Sequence, residues 1–123
     1  MRRRKPMNKQ QAERFAEEWV AAWNAHDLDR ILSHYDDDFE MSSPAIVKLA
    51  GDPSGKLQGK KAVGAYWSVA LKKYPNLRFT LLHVLIGVDS VNLIYEGVLG
   101  LSSEVFRFSA FGKVSAASAH YAL

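Results

Sequence analysis

Apolar positions recur at steps of three and four over the first part of the chain, and then alternate in steps of two. From about Asn8 to Ala25, Ala12, Phe15, Ala16, Trp19, Val20 and Trp23 fall on one side of a helix, with Glu13, Arg14, Glu17 and Glu18 on the other. Asn24 to Asp27 breaks this pattern. Asp27 is placed to cap a short second helix whose buried stripe is Leu28, Ile31, Leu32 and Tyr35. Asp36 to Asp38 reads as a solvated turn, and Phe39 to Ser43 as a short strand stopped by Pro44. Residues 45–59, which include Gly51, Pro53, Gly55 and Gly59, read as a long surface loop over the mouth of any pocket. A third helix is predicted from Lys60 to about Lys73, with Val63, Tyr66, Trp67, Ala70 and Leu71 as its stripe and Pro75 beyond its end.

After Pro75 the period changes to that of strands. Arg78 to Ile86, Val91 to Glu96, Ser103 to Ala110 and Val114 to Tyr121 are four predicted strands, the last two joined by a turn at Phe111-Gly112-Lys113. Helices first and sequential strands afterwards imply an α+β fold with an antiparallel sheet.

The 123 residues suit one domain, expected to span 8–123, with residues 1–7 a basic, disordered tail. The formal net charge is +3, but Arg2, Arg3, Arg4 and Lys5 supply four positive charges at one end. Without them 12 basic residues face 13 acidic ones, so bulk charge argues against a nucleic-acid binder. Cysteine is absent, which removes disulfides, thiol nucleophiles and Cys-based zinc sites and suits the cytoplasm. Pro6 to Arg14 is polar, unlike the apolar core of a secretory signal, and no apolar run approaches the ~20 residues of a membrane span.

The segment Trp19-Val20-Ala21-Ala22-Trp23-Asn24-Ala25-His26-Asp27-Leu28-Asp29 resembles the first-helix signature of the nuclear transport factor 2-like, or SnoaL-like, superfamily. Three further stretches agree in order and spacing. Tyr35-Asp36-Asp37-Asp38-Phe39 is similar to that family's turn into the first strand, and Gly59-Lys60-Lys61-Ala62-Val63 to the start of its third helix. Glu104 to Phe108, followed by Gly112-Lys113-Val114, resembles its last hairpin. The resemblance covers about residues 12–121. It implies a cystatin-like fold, in which three helices pack in a strongly curved, mainly antiparallel sheet around a cone-shaped pocket. It also implies frequent dimerisation through the outer sheet face, for which Val105 and His120 are outward candidates. The superfamily includes ketosteroid isomerase, scytalone dehydratase, polyketide cyclases and members without catalysis, so the likeness specifies fold better than function.

Strand parity puts Glu104, Phe106 and Phe108 on one face and Val105 and Arg107 on the other. A carboxyl in step with two phenylalanines is expected to face an apolar interior, where burial raises its pKa and suits it to act as an acid or hydrogen-bond donor. The alternative is a glutamate at the rim or paired with an arginine. In the ketosteroid isomerase pattern the matching position donates a hydrogen bond to the developing oxyanion. The same comparison puts the isomerase's base on Ser43 and its tyrosine on Trp19, so ketosteroid isomerase activity is not expected. Glu104 and Tyr35 are the candidate catalytic residues. Trp19, Trp23, Phe39, Ser43, Tyr66, Trp67, Phe106, Phe108 and Tyr121 are candidate ligand contacts.

Tyr35, Tyr66, Tyr95 and Tyr121 could each bring a hydroxyl to Glu104, with core packing the alternative for each. Of the histidines, His26 and His34 are expected at helix ends, and His120 on the face opposite Tyr121. The side of His83 is open. No metal-ligand spacing or phosphate-binding loop is present, and no cofactor is expected. The expectation is a pocket protein for a small apolar molecule, either an isomerase, cyclase or hydratase or a non-catalytic binding or interaction module acting as a dimer.

Overall fold

The computed structural model describes residues 6–123. The basic cluster at residues 2–5 lies outside them. Helix α1 (Lys9–Asn24) begins at a capping box, in which the Asn8 side chain accepts from the Gln11 backbone N–H at 2.8 Å while Gln11 reaches back to the Asn8 N–H. Ahead of it, Met7 is half-buried and donates its N–H to the Val88 carbonyl at 2.9 Å. Helix α2 (Leu28–Leu32) is capped by Asp27, whose carboxylate accepts from the Arg30 N–H.

Strand β1 runs over Tyr35–Ser42. The strand thus starts at Tyr35, and Asp36 to Asp38 belong to it instead of forming a free turn. Tyr35 pairs with Val114 and Glu40 with Ala116, and the register shift between them is the bulge that carries the three acidic residues. The expected loop at 45–59 also contains regular structure: helix α3 (Pro44–Leu49) and strand β2 (Lys56–Gln58). Pro44 was read as a strand stop, and it is also a helix start. Its fixed φ suits the first helical position, and the Ser43 hydroxyl caps the helix by accepting from the Ala45 N–H at 3.1 Å. The described residues therefore hold four helices rather than three.

Gly59 precedes helix α4 (Lys60–Lys73) at φ 91°, a conformation that favours glycine, and its N–H donates to the Phe39 carbonyl. Strands β3 (Thr80–Ile86), β4 (Ser90–Gly97), β5 (Gly100–Phe108) and β6 (Val114–Tyr121) complete the fold. The six strands are ordered β2-β1-β6-β5-β4-β3, all antiparallel except β1 with β6. Register shifts in β1, in β3 after Leu81 and in β6 opposite Arg107/Phe108 bend the sheet around the helices, as bulges do. No helix among the described residues is long and apolar enough to cross a membrane.

The core lies between the inner sheet face and the small-residue face of α1. Ala12, Ala16 and Ala22 have no exposed surface, and Phe15 and Trp19 of the same helix pack edge-on against Phe106. The far end of α1 is locked to the approach into β3. The Asn24 amide donates to the Phe79 carbonyl at 3.0 Å and accepts from the Phe79 N–H at 2.7 Å, while a ring nitrogen of His26 bonds the Leu77 carbonyl at 2.8 Å. His26 itself sits at φ 55°, so its part is to turn the chain and hold residue 77.

Asn24→Ala leaves both backbone groups of Phe79 without these partners. The expected cost is about 1–3 kcal/mol, read as a lower urea midpoint at unchanged m. An unchanged midpoint would mean that water replaces the amide without loss.

Candidate functional site

The end of the cone between α1, α3, α4 and the inner faces of β4 to β6 encloses a cavity of about 170 Å³. Trp19 and Trp23 come from α1, Ala45, Lys48 and Leu49 from α3, and Tyr66, Trp67, Ala70 and Lys73 from α4. The sheet supplies Tyr95, Gly97, Ser102, Glu104 and Tyr121, and the connection into β3 supplies Leu77 and Phe79. Most of this surface is apolar. Its polar groups are one carboxyl, a few hydroxyls and the side chains of Lys48 and Lys73; Trp23 also lines it, and its indole N–H is buried with no hydrogen-bond partner among the described residues.

Glu104 is placed by strand period. It pairs across with Leu93 on one side and Ala119 on the other, and all three point inward. The residue is 4% exposed, which discards the rim alternative. Its one hydrogen bond among the described residues comes from the Tyr95 hydroxyl, which donates to Oε1 at 3.1 Å. Burial pushes the carboxyl up to about 7, and the Tyr95 bond, which favours the anion, offsets only part of that rise. At neutral pH both protonation states are therefore populated.

The phenols behave differently. Burial pushes Tyr66 up to about 12, and raises Tyr95 and Tyr121 still further, with the Glu104 charge adding to each. The Ser43 hydroxyl offsets part of the rise at Tyr66 and Tyr121. These groups stay neutral over any working pH and serve as hydrogen-bond donors. In this cavity wall Glu104 alone combines a carboxyl with a pKa near neutrality, so it can give a proton to a ligand oxygen or take one from a ligand carbon.

Of the sequence-predicted contacts, Trp19, Trp23, Tyr66, Trp67 and Tyr121 line the cavity with Glu104. Phe39, Ser43, Phe106 and Phe108 do not. Phe39 and Phe106 are fully buried beneath the cavity wall, Phe39 against Tyr35 and Phe106 against Trp19. Phe108 packs on Phe15, and Ser43 caps α3. Strand parity gives Phe106 and Phe108 the right face, but the inner face is longer than the cavity. Tyr35 also lies behind the wall. Its hydroxyl accepts the Trp19 indole N–H at 3.0 Å, burial raises its pKa far above the ordinary phenol value, and it acts on the site only through Trp19 and the field of Glu104. Of the four tyrosines it is Tyr95 that reaches the carboxyl.

The lining also contains Phe79, Tyr74, Leu77, Lys48, Lys73, Val98 and Leu99, which the sequence reading did not select. They lie at element ends and in turns, where periodicity carries no facing information. His83 and His120 are exposed, in register across the outer face through Ile94 and Ser103, and His34 lies beside Glu18, away from the cavity. Among the described residues no cluster of three or more His, Asp or Glu side chains could hold a metal ion.

Helices packed on a bent six-stranded mixed sheet, with one carboxyl on its inner face, make this an α+β protein. Residues 16–115 match the SnoaL-like domain model, and the chain belongs to that family. It is similar, at 54% identity and a TM-score of 0.93, to a crystal structure of a SnoaL-like protein of unknown function from Burkholderia thailandensis, with 97% of this chain and 100% of that one covered. A protein with a cystatin-like fold from Methylobium petroleophilum superposes with a TM-score of 0.75 at 15% identity, covering 96% and 80% of the two chains. A candidate isomerase of the SnoaL-like family from Agrobacterium tumefaciens gives 0.69 at 17% identity, covering 89% and 96%. These last two likenesses concern the fold alone. No match was found among curated proteins.

The raised Glu104 pKa carries a stability signature. Below the unfolded value of 4.5 the group is protonated in both states and has no effect. Between 4.5 and about 7 the folded state holds the proton that the unfolded state has released, so stability falls as pH rises, by about 3 kcal/mol in all. Glu104→Gln removes that penalty. The variant is expected to be more stable than the parent at pH 8 and to lose this advantage towards pH 4.5, as read by thermal melts across the range. A stability difference independent of pH would contradict the assignment.

Proposed function

We propose that this chain is a small-molecule pocket protein whose cavity takes an apolar, cyclic compound with one oxygen directed at Glu104, and that Glu104 moves a proton during its isomerisation, cyclisation or hydration. The observation that carries this reading is a carboxyl with a pKa of about 7 in an otherwise apolar, aromatic wall. The protonated form donates to the ligand oxygen. Once ionised, the carboxylate keeps the Tyr95 hydrogen bond, which limits the rise in basicity. The family's candidate isomerase is consistent with this class of reaction. Size narrows the ligand. An apolar cavity of about 150 Å³ holds benzene, so about 170 Å³ suits a one- or two-ring body better than four fused rings.

A specific observation favours a second reading, a non-catalytic binding module. The positions that resemble the isomerase's base and tyrosine are both engaged structurally, Ser43 as the α3 cap and Trp19 as the donor to Tyr35. The two readings separate experimentally. A thermal-shift screen with indanones, tetralones, naphthols and small lactones should yield a ligand class whose shift shrinks in Glu104→Gln, since a ligand at a hundred times its Kd adds ~2.7 kcal/mol. Turnover of that class with a pH midpoint near 7 supports catalysis, and binding without turnover supports the module. No shift with any compound would overturn the pocket reading.

In either reading we place the protein in the cytoplasm and expect it to act as a homodimer through the outer sheet face. That face presents Leu82, Leu85 and Leu101, each more than two-fifths exposed, and the half-buried Val105. Light scattering at micromolar concentration should give twice the chain mass. A monomer would remove this part of the proposal.

A further inference from the structure

A second depression on the surface adjoins the cavity. A groove of about 410 Å³ is lined by Lys73, Tyr74, Pro75, Asn76, Leu77, Arg78, Gly97 and Val98. Lys73, Tyr74, Leu77, Gly97 and Val98 line both spaces, so they form the rim that the two share. At Gly97 the Phe79 and Tyr95 rings lie close over the backbone, which is why the position has no side chain. A Cβ there would come within 3.0 Å of the Phe79 ring and 3.3 Å of Tyr95. The charge along both linings has one sign. Lys73 and Arg78 border the groove and Lys48 borders the cavity, and neither lining contains an acidic residue other than the buried Glu104. None of the three cations makes an ion pair among the described residues, whose ion pairs involve Lys9, Arg30, His34, Lys60 and Arg107.

Two of these cations have a local explanation. Lys48 and Lys73 lie in the last turns of α3 and α4, where positive charge offsets the helix dipole. Arg78 does not, because it lies between α4 and β3, on no helix end, and borders the groove nonetheless. Lys73 is also held at the rim, its ammonium 5.7 Å from the centre of the Tyr74 ring.

We infer that the ligand is an anion with two unlike ends: an apolar ring body enclosed in the cavity, and a carboxylate or phosphate that reaches over the shared rim into the groove lined by Lys73 and Arg78. This rests on the pocket reading above and adds a polarity to it. The neutral oxygen function goes inward to Glu104, and the charge stays at the mouth. The arrangement agrees with electrostatics. An anion at depth would oppose ionisation of Glu104 and lose its hydration, whereas at the rim it keeps water and gains two cations. The same field attracts anionic ligands to the mouth and weakens as salt is added.

The test compares three probes that share one ring system, 1-naphthylacetamide, 1-naphthylacetate and 1-naphthyl phosphate, by calorimetric titration of the full chain at low and at moderate salt. The expected result is that at least one anion binds roughly fivefold tighter than the neutral amide at low salt. That ratio should shrink with added salt and fall towards one in Arg78→Gln and in the Lys73→Gln/Arg78→Gln pair. Which anion is preferred then distinguishes a carboxylate from a phosphate ligand. Equal binding of all three, or a ratio unmoved by either variant, overturns the anion assignment and leaves the pocket reading standing. Binding of none of them overturns both.

Discussion

The indole of Trp19 is the fixed point of this fold. It stacks on Phe79 with centroids 5.2 Å apart and planes 19° from parallel, and meets Tyr95 and Phe106 edge-on at 5.3 and 5.2 Å. Its one polar atom is satisfied by Tyr35. One side chain thus joins α1 to β1, β4, β5 and the entrance to β3, and offset and edge contacts of this kind fix angles as well as distances. The Asn24–Phe79 hydrogen bonds keep the stacked partner in place from the other side. The cavity begins where this aromatic packing stops.

Its wall sets stability against chemistry. A buried carboxyl with a single hydroxyl donor is a poor arrangement for a core, since desolvation outweighs that bond and shifts the proton equilibrium by more than two units. The same shift brings both protonation states within reach at neutral pH, which a surface glutamate cannot do. Trp23, on the same wall, adds a buried indole N–H with no hydrogen-bond partner among the described residues. Sites that conflict with good packing are where function is expected to reside. The comparison with solved structures extends the fold, at 54% identity, to a SnoaL-like protein whose own function is unknown, so the chemistry has to be argued from this wall.

Much of this was legible in the chain. The stripes on α1 and α4, the four sequential strands and the inward parity of Glu104 follow from periods of 3.6 and 2, which depend only on local backbone geometry. The motifs that resemble the SnoaL-like family lie on those same periodic segments. Where periodicity is short or doubly read, the sequence was less informative. Pro44 marks both the end of a strand and the start of a helix. Asp36 to Asp38 look like a turn because a bulged strand exposes successive residues as a turn does.

What the sequence by itself determined is therefore the α+β class, which residues face inward, and that one of them is a carboxyl among aromatics. Tertiary structure alone decided how far the cavity extends along that inner face, which separates Tyr66, Trp67 and Tyr121 in the wall from Phe39, Phe106 and Phe108 in the core. It also decided that Tyr95 reaches Glu104 while Tyr35 is held by Trp19, and that Lys73 and Arg78 meet at one groove. The reason is physical. A side chain's face is set by its own backbone, but its partner is set by the curvature of the sheet and the ends of helices, which bring together residues far apart in the chain.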